Sequence, residues 1–211
     1  MKTTEQFVIT INRELGSGGR TIGSKVAERL GVPFYDKALM HELTQRFHIS
    51  SEELEKVKSK KRTWWDDMVK AYTSQYDMGM SLGIEPVVPT TDSVFLAEYN
   101  FLKELAEEAS CVIAGRSGFH IFRDEPNVLH ILITSSMQKR VERVMQKQGL
   151  TEKEAKAVIE KVDKGRETYM KEAANASRYD TRNYDLVINV ANLTEDEAAD
   201  VIMDFINKQD K

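Results

Sequence analysis

The chain has a single cysteine, Cys111, among its 211 residues. An internal disulfide is therefore excluded, and a reducing cytoplasm is the expected compartment. With only 4 prolines and 11 glycines, the sequence does not have the composition of a fibrous or low-complexity protein. The longest apolar runs, at residues 7–11 and 128–133, are far shorter than the roughly 20 residues that span a bilayer. The opening MKTTEQ also lacks the apolar segment of a secretory signal, so we expect no membrane partner.

Positive charge is not in excess either. Against 34 Asp and Glu stand 30 Lys and Arg, a net charge of −4, whereas proteins whose main role is to bind nucleic acid are usually basic. Nucleic acid is therefore not an expected partner. Hydrophobic residues make up 41% of the chain and charged residues 30%, which is typical of a globular protein with a buried core. The length favours one domain with a sizeable insertion over two domains.

The chain begins with a strand, a glycine-rich loop and a helix in immediate succession. Residues 7–11 are mostly apolar and β-branched, a glycine cluster follows at 16–19, and Ile22, Val26 and Leu30 then recur at helical spacing. Further strands are predicted at residues 32–35, 111–114, 128–134 and 184–190. Five strands that alternate with helices predict an α/β, three-layer fold with a parallel sheet.

Helices are predicted between the strands. Capping boxes at Thr151 and Glu154, and at Thr194 and Glu197, open the last two. Residues 92–109 are predicted to form another helix, and residues 50–90, which show no strand pattern, read as a mainly helical insertion. The side chains expected to face inward in two of these helices are Met137, Val141, Val144 and Met145, and Ala198, Val201, Ile202 and Phe205.

The glycine-rich loop has the composition of a phosphate-binding loop. Glycines allow the backbone to come close to an anion, and the N-terminus of the following helix adds positive dipole. The segment departs from the pattern GxxxxGK[ST], because Arg13 stands at the first glycine and Gly19 at the lysine. Arg20, or alternatively Arg13, is predicted to supply the missing positive charge, and Thr21 the hydroxyl that faces Mg²⁺. The alternative is a glycine turn without a ligand.

Four segments carry a resemblance to a known family. They are ITINRELGSGGRTIG, VAERLGVPFYDKAL, CVIAGRSG and NYDLVIN, and in this order they resemble the cytidylate kinase-like group of P-loop nucleoside monophosphate kinases. The resemblance implies a P-loop NTPase fold with a five-stranded parallel sheet in a single domain over residues 1–211. It further implies a nucleoside monophosphate-binding insertion at about 50–90, a mobile lid at about 151–177, and phosphoryl transfer from ATP with Mg²⁺.

The resemblance also implies roles for single residues. The donor phosphates would contact Gly16, Ser17, Gly18, Gly19, Arg20 and Thr21. Asp36 and Arg116 match acceptor-site positions, and Asp163 and Arg166 resemble lid residues. Catalysis of phosphoryl transfer rests on positioning and charge neutralisation, so Arg20, Arg116 and Arg166 are the predicted catalytic residues.

Other cations have two interpretations each. Arg140 and Arg143, on the helix that leads to the lid, either bind ATP phosphates or are exposed charges that serve solubility. The basic cluster at residues 56–62, which precedes Trp64 and Trp65, either binds phosphate or nucleic acid or is a solvated helix end, and we favour the latter. The four histidines lack metal-ligand spacing.

Three functional hypotheses remain at this stage. The first is a kinase that uses ATP and Mg²⁺ to phosphorylate a nucleoside monophosphate such as CMP. The second, suggested by the missing lysine, is a nucleotide-binding sensor with weak or no catalysis. The third is a P-loop kinase of another small metabolite. The expected partners are a nucleotide donor, a small-molecule acceptor and, as a possible homo-oligomer, further copies of the chain.

Overall fold

The computed structural model describes residues 1–36, 91–115 and 117–209. The predicted insertion at 50–90, the basic cluster at 56–62 and Arg116 lie outside the described residues. Within them, no helix is both long enough and apolar enough to cross a membrane.

A five-stranded parallel sheet forms the centre of the structure. The strands are β1 (Val8–Arg13), β2 (Phe34–Tyr35), β3 (Cys111–Ala114), β4 (Val128–Thr134) and β5 (Leu186–Asn189). Their order across the sheet is β2-β3-β1-β4-β5, and all four pairings are parallel. The predicted fold class is confirmed. The central strand β1 is buried on both faces, as its continuous run of β-branched residues predicts.

Six helices accompany the strands in the described part of the chain. They are α1 (Gly19–Leu30), α2 (Thr91–Glu108), α3 (Gly118–Ile121), α4 (Met137–Gln148), α5 (Glu152–Ala174) and α6 (Glu195–Gln209). Both capping boxes are present: Thr151 and Glu154 bond reciprocally at the start of α5, and Thr194 and Glu197 do so before α6.

Two apolar layers sandwich the sheet. On one face Ile9, Ile11 and Ile131 pack with Val26 of α1 and Ile202 of α6. On the other face the alternate strand residues, such as Val8, Cys111 and Ile113, pack with Leu102 of α2 and Phe122 just after α3. This arrangement is the predicted three-layer architecture, and Cys111 is one of its fully buried residues.

Two inward-facing predictions are wrong, and so are the predicted starts of two strands. Met137 and Val201 are 39% and 41% exposed. Met137 is the first residue of α4 and lies beyond the cluster that buries Val141 and Val144. The helix α6 packs against the core through the face that carries Ala199, Ile202 and Ile206. Val201 is exposed because it lies about 100° around the helix from Ile202.

The second strand begins at Phe34 rather than at residue 32, and the last strand begins at Leu186 rather than at residue 184. A 3₁₀ turn over Thr181–Asn183 holds Tyr184, whose backbone N–H donates to the carbonyl of Thr181 at 3.2 Å. Tyr184 therefore belongs to the turn and not to the sheet ladder.

Candidate functional site

The loop between β1 and α1 turns sharply at the carboxyl end of the central strand. Gly16 and Gly18 adopt φ angles of +84° and +82°, a region in which glycine carries no side-chain penalty. The fully buried Ser17 closes the turn, since its hydroxyl donates to the carbonyl of Glu14 at 2.9 Å and its backbone N–H donates to the same oxygen at 3.3 Å. After this turn the backbone enters α1 at Gly19.

The first turn of α1 has the features of an anion site. Gly18 is the N-cap residue and provides no side-chain cap, and the first helical bond in this turn runs from the Ile22 N–H to the Gly18 carbonyl at 3.1 Å. The N–H groups of Gly19, Arg20 and Thr21 therefore have no acceptor within the helix. Together with the helix dipole, they form a surface that fits a phosphate group.

Arg13 and Arg143 pack against glycines that border this loop. A Cβ placed on Gly18 would lie 3.0 Å from Cζ of Arg143, and one placed on Gly19 would lie 2.6 Å from Cβ of Arg13. The Arg13 guanidinium continues to Gly115, where an added Cβ would overlap its Nη1. Gly115 directly follows β3, so the side chain of Arg13 extends from the loop toward the end of the neighbouring strand.

Arg20 and Asp36, which the sequence assigned to the donor and acceptor sites, form an ion pair. Asp36 is buried, whereas the side chain of Arg20 is 68% exposed. Since Asp36 directly follows β2, the guanidinium of Arg20 lies toward the outer edge of the sheet in this structure. Thr21 follows it in the first turn of α1 and is half-buried.

Side chains of α4 and α5 form a buried ionic cluster that contacts the loop. Asp163 of α5 accepts a hydrogen bond from the Leu15 N–H at 3.0 Å and pairs with Arg140 of α4. Arg140 also donates through Nε to the Leu15 carbonyl at 2.8 Å, and its Nη1 lies 3.1 Å from Oε1 of Glu14. Arg140 is only 5% exposed. The interpretation of Arg140 as an exposed, solubilising charge is therefore wrong.

Two further arginines reach the end of β1 from the region of α5. Nη1 of Arg166 lies 3.3 Å from both the Arg13 carbonyl and Oδ1 of Asp163. Nη2 of Arg178 donates to the Asn12 side chain at 3.0 Å and to the Arg13 carbonyl. Arg178 is 2% exposed. Its Nη1 makes no hydrogen bond within the described residues, and its nearest carboxylate oxygen, Oδ1 of Asp163, lies 3.5 Å away.

Sequence reasoning missed Arg178, because it lies in the irregular segment between α5 and the 3₁₀ turn, outside any periodic pattern. A nearby tyrosine, Tyr184, bonds to the backbone of Arg178. The Tyr184 hydroxyl donates to the Arg178 carbonyl at 2.7 Å and accepts from Asn12 Nδ2 at 2.5 Å. Burial raises the pKa of Tyr184 to about 12, so this hydroxyl stays protonated at neutral pH and continues to donate.

A buried carboxylate, Glu98, lies beside the turn that follows β3. It is 4% exposed and accepts hydrogen bonds from the hydroxyls of Tyr169, at 2.9 Å, and Ser117, at 3.3 Å. Sequence reasoning did not select it, because a glutamate on a helix normally faces solvent. Phe119 and Tyr184 pack in the same apolar cluster as Tyr169.

The structure thus brings many of the predicted residues to one edge of the sheet. Arg13, Arg140, Arg143, Asp163 and Arg166 surround the glycine loop. Arg20 and Asp36 meet each other at the end of β2, and Arg116 lies outside the described residues. In parallel sheets, ligands bind at the carboxyl ends of strands, which is where these groups gather.

Comparison with known proteins assigns this arrangement to a known group. A family model described as the cytidylate kinase-like family matches residues 8–192. A crystal structure of an uncharacterized protein from Eubacterium ventriosum superposes with a TM-score of 0.68 and 27% identity, with 97% of this chain and 99% of that chain covered.

Two more distant structures share the fold alone. Shikimate kinase from Bacteroides thetaiotaomicron has a TM-score of 0.52 at 16% identity, with 95% of this chain and 98% of that chain covered. A gluconokinase from Sinorhizobium meliloti has a TM-score of 0.51 at 12% identity, with 98% of each chain covered. A uronate isomerase from Corynebacterium glutamicum is 33% identical over 93 residues, 44% of this chain, but the chain spans only 18% of that protein's length.

Proposed function

Because the chain belongs to the cytidylate kinase-like family, we propose that it transfers a phosphoryl group from ATP to a small acceptor, with a nucleoside monophosphate such as CMP as the leading candidate. The observation that carries the proposal is the first turn of α1, which lacks a side-chain cap and opens at the carboxyl end of the central strand. A helix start of this kind, preceded by two glycines at positive φ, is suited to a polyphosphate.

The donor is proposed to lie along the loop from Gly16 to Thr21. The backbone N–H groups there would bind the phosphate oxygens, and Arg143, packed against Gly18, would add positive charge. The Thr21 hydroxyl is proposed to face Mg²⁺, which neutralises phosphate charge when it is bound. Arg140 has a different proposed task, because its guanidinium is committed to Leu15, Glu14 and Asp163. It holds the loop in shape and affects the donor through the loop backbone.

The acceptor is proposed to lie over the ends of β2 and β3. Asp36, a buried carboxylate at the end of β2, is suited to accept hydrogen bonds from an exocyclic amine such as that of cytosine. Arg20 is its ion-pair partner and would move to the phosphates when the acceptor replaces it at Asp36. Arg116 is proposed to bind the acceptor phosphate.

The segment 151–177 is proposed to act as a lid that excludes water from the reacting phosphoryl group. Arg166, on α5, lies within 3.3 Å of the Arg13 carbonyl. A small rotation of its side chain would bring a guanidinium toward the transferred phosphoryl group, where charge develops during transfer.

One specific observation favours a second function, a nucleotide-binding sensor. Gly19 stands where P-loop kinases carry lysine, and Arg20 is held by Asp36 in this structure. A protein that binds ATP without turning it over would have the same loop.

A coupled ADP-release assay with Mg²⁺ and ATP tests the proposal. The acceptor panel contains CMP, dCMP, UMP, AMP and GMP, together with shikimate and gluconate. We expect turnover with CMP to exceed that with any other acceptor and the background ATPase rate. Turnover with a sugar acid alone would replace the nucleotide acceptor by another metabolite. ATP binding without turnover on any acceptor would favour the sensor, and absence of ATP binding would overturn both functions.

A further inference from the structure

The geometry points to Arg13 as the cation that replaces the P-loop lysine, through an exchange of residue types between positions 13 and 19. This inference deepens the proposed function and rests on it. In the pattern GxxxxGK[ST], glycine occupies the first position and lysine the sixth residue after it. Here the first position is Arg13 and the lysine position is Gly19.

The exchange has a steric cause. A Cβ on residue 19 would lie 2.6 Å from Cβ of Arg13 and 2.9 Å from its Cγ, which is closer than two carbon atoms can pack. A side chain at position 19 would therefore force Arg13 or the loop backbone to shift. Glycine at one of these positions is therefore the condition for a long cationic side chain at the other.

A third position, Gly115, leaves space for the end of the Arg13 side chain. Gly115 has a φ of +78°, and a Cβ there would overlap Nη1 of Arg13. The guanidinium thus passes over Gly19 and ends at Gly115, between the proposed donor loop and the turn after β3. Two glycines leave space for one arginine along its whole length.

The backbone of Arg13 is held firmly at the base of this side chain. Its N–H donates to the Asn12 side chain at 2.9 Å, and its carbonyl accepts from Arg166 and Arg178. These backbone bonds fix the position from which the Arg13 side chain extends. The guanidinium is directed to one place, between the donor and acceptor sites.

We infer that this guanidinium binds two oxygens of the terminal phosphoryl group at the same time, as its planar fork allows. In the transfer, the bond from phosphorus to the bridging oxygen of the leaving ADP breaks while the acceptor oxygen bonds to the same phosphorus. Arg13 gains and loses no proton or electron in this step. It binds the charge that the lysine neutralises in other P-loop kinases.

The first experiment measures the affinities of ATP and ADP by titration calorimetry, since only ATP carries the terminal phosphoryl group. We expect Arg13→Gly to lower the ratio of ATP affinity to ADP affinity by about tenfold, while ADP still binds through the loop backbone. Arg29→Ala, which removes a cation from the last turn of α1, is the control and should leave the ratio unchanged.

The second experiment tests the exchange itself. Gly19→Lys should lower the ratio on its own, because the new side chain collides with Arg13. The double variant Arg13→Gly with Gly19→Lys should recover at least half of the loss on a logarithmic scale, since it restores the usual pattern. A thermal unfolding transition is measured for each variant to check that the variant is folded.

Three outcomes would overturn the inference. An unchanged ratio in Arg13→Gly, when the unmodified chain prefers ATP, removes the role of Arg13 and leaves the proposed function intact. A loss in Arg20→Ala but not in Arg13→Gly assigns the contact to Arg20. If the unmodified chain binds neither nucleotide, the proposed function fails, and this inference fails with it.

Discussion

Asp163 in α5 accepts a hydrogen bond at 3.0 Å from the backbone N–H of Leu15, a residue of the glycine loop 148 positions earlier in the chain. The carbonyl of Leu15 accepts a hydrogen bond from Nε of Arg140 at 2.8 Å. Both polar groups of Leu15 are therefore bonded to buried charged side chains. The loop is held in its shape by an acid on one helix and a base on another.

We predict that Asp163→Asn destabilises the fold strongly. The amide side chain keeps the size of the carboxylate but leaves the buried Arg140 and Arg178 without its charge, and removing one partner of a buried ion pair costs about 3–5 kcal/mol. Urea unfolding measures the free energy of unfolding. Asp196→Asn, which removes an exposed partner of Lys25, is the control and should have little effect. Equal effects of the two variants would show that the buried cluster does not stabilise the loop.

Gly18→Val is predicted to abolish the thermal stabilisation that ATP confers. Residue 18 has a positive φ, which strains any side chain there, and an added side chain also displaces the Arg143 guanidinium from the loop. The matched control is Gly31→Val at the other end of α1. It has a similar φ of +66° but nothing within 4 Å of an added Cβ. This variant should lose stability from backbone strain and still be stabilised by ATP. An undiminished shift in Gly18→Val would contradict the phosphate assignment.

Closure of the proposed lid should be visible by hydrogen exchange. We expect the segments 50–90 and 151–177 to become more protected when donor and acceptor are added together, because phosphoryl transfer requires a site closed to water. ADP alone is the comparison, since it leaves the acceptor site empty. Unchanged exchange in both segments would show that they do not close over the site.

His130 predicts how stability changes at mildly acidic pH. Burial lowers its pKa below the ordinary value of 6.5, against the opposing effects of Asp185 and the Phe122 carbonyl, and its Nδ1 lies 2.7 Å from the Thr10 hydroxyl. The unfolded chain therefore binds a proton at a higher pH than the native chain does. The contribution of neutral His130 is fully present above pH 6.5 and is lost as the pH falls through its lower native pKa.

The measurement is the free energy of unfolding between pH 7.5 and about 5.5, a range above most carboxylate titration. As the pH falls, we expect the free energy of unfolding to decrease less steeply in His130→Gln than in the unmodified chain. His120, whose pKa burial also lowers, is present in both proteins and does not affect the comparison. Identical slopes would show that His130 takes up its proton equally well in the native and unfolded chains.

Local patterns were sufficient to predict most elements of this protein. The strands at Cys111–Ala114 and Val128–Thr134 agree with the predicted ranges, and so do the capping boxes at Thr151 and Thr194. These features depend on residues within one or two turns of each other. The glycine loop was visible for the same reason, since strand, glycines and helix follow one another directly.

The partners of the charged side chains were decided only by tertiary structure. Arg140 has the helical position of a solvent-facing residue, yet it is buried because Glu14 and Asp163 approach it from distant parts of the chain. Arg178 and Glu98 carry no local signal for the same reason. The relation of Arg13 to Gly19 and Gly115 depends on the distance between β1 and β3, which pairing in the sheet determines. A sequence records which residues are charged, whereas the energy of a buried charge depends on which opposite charges the fold places beside it.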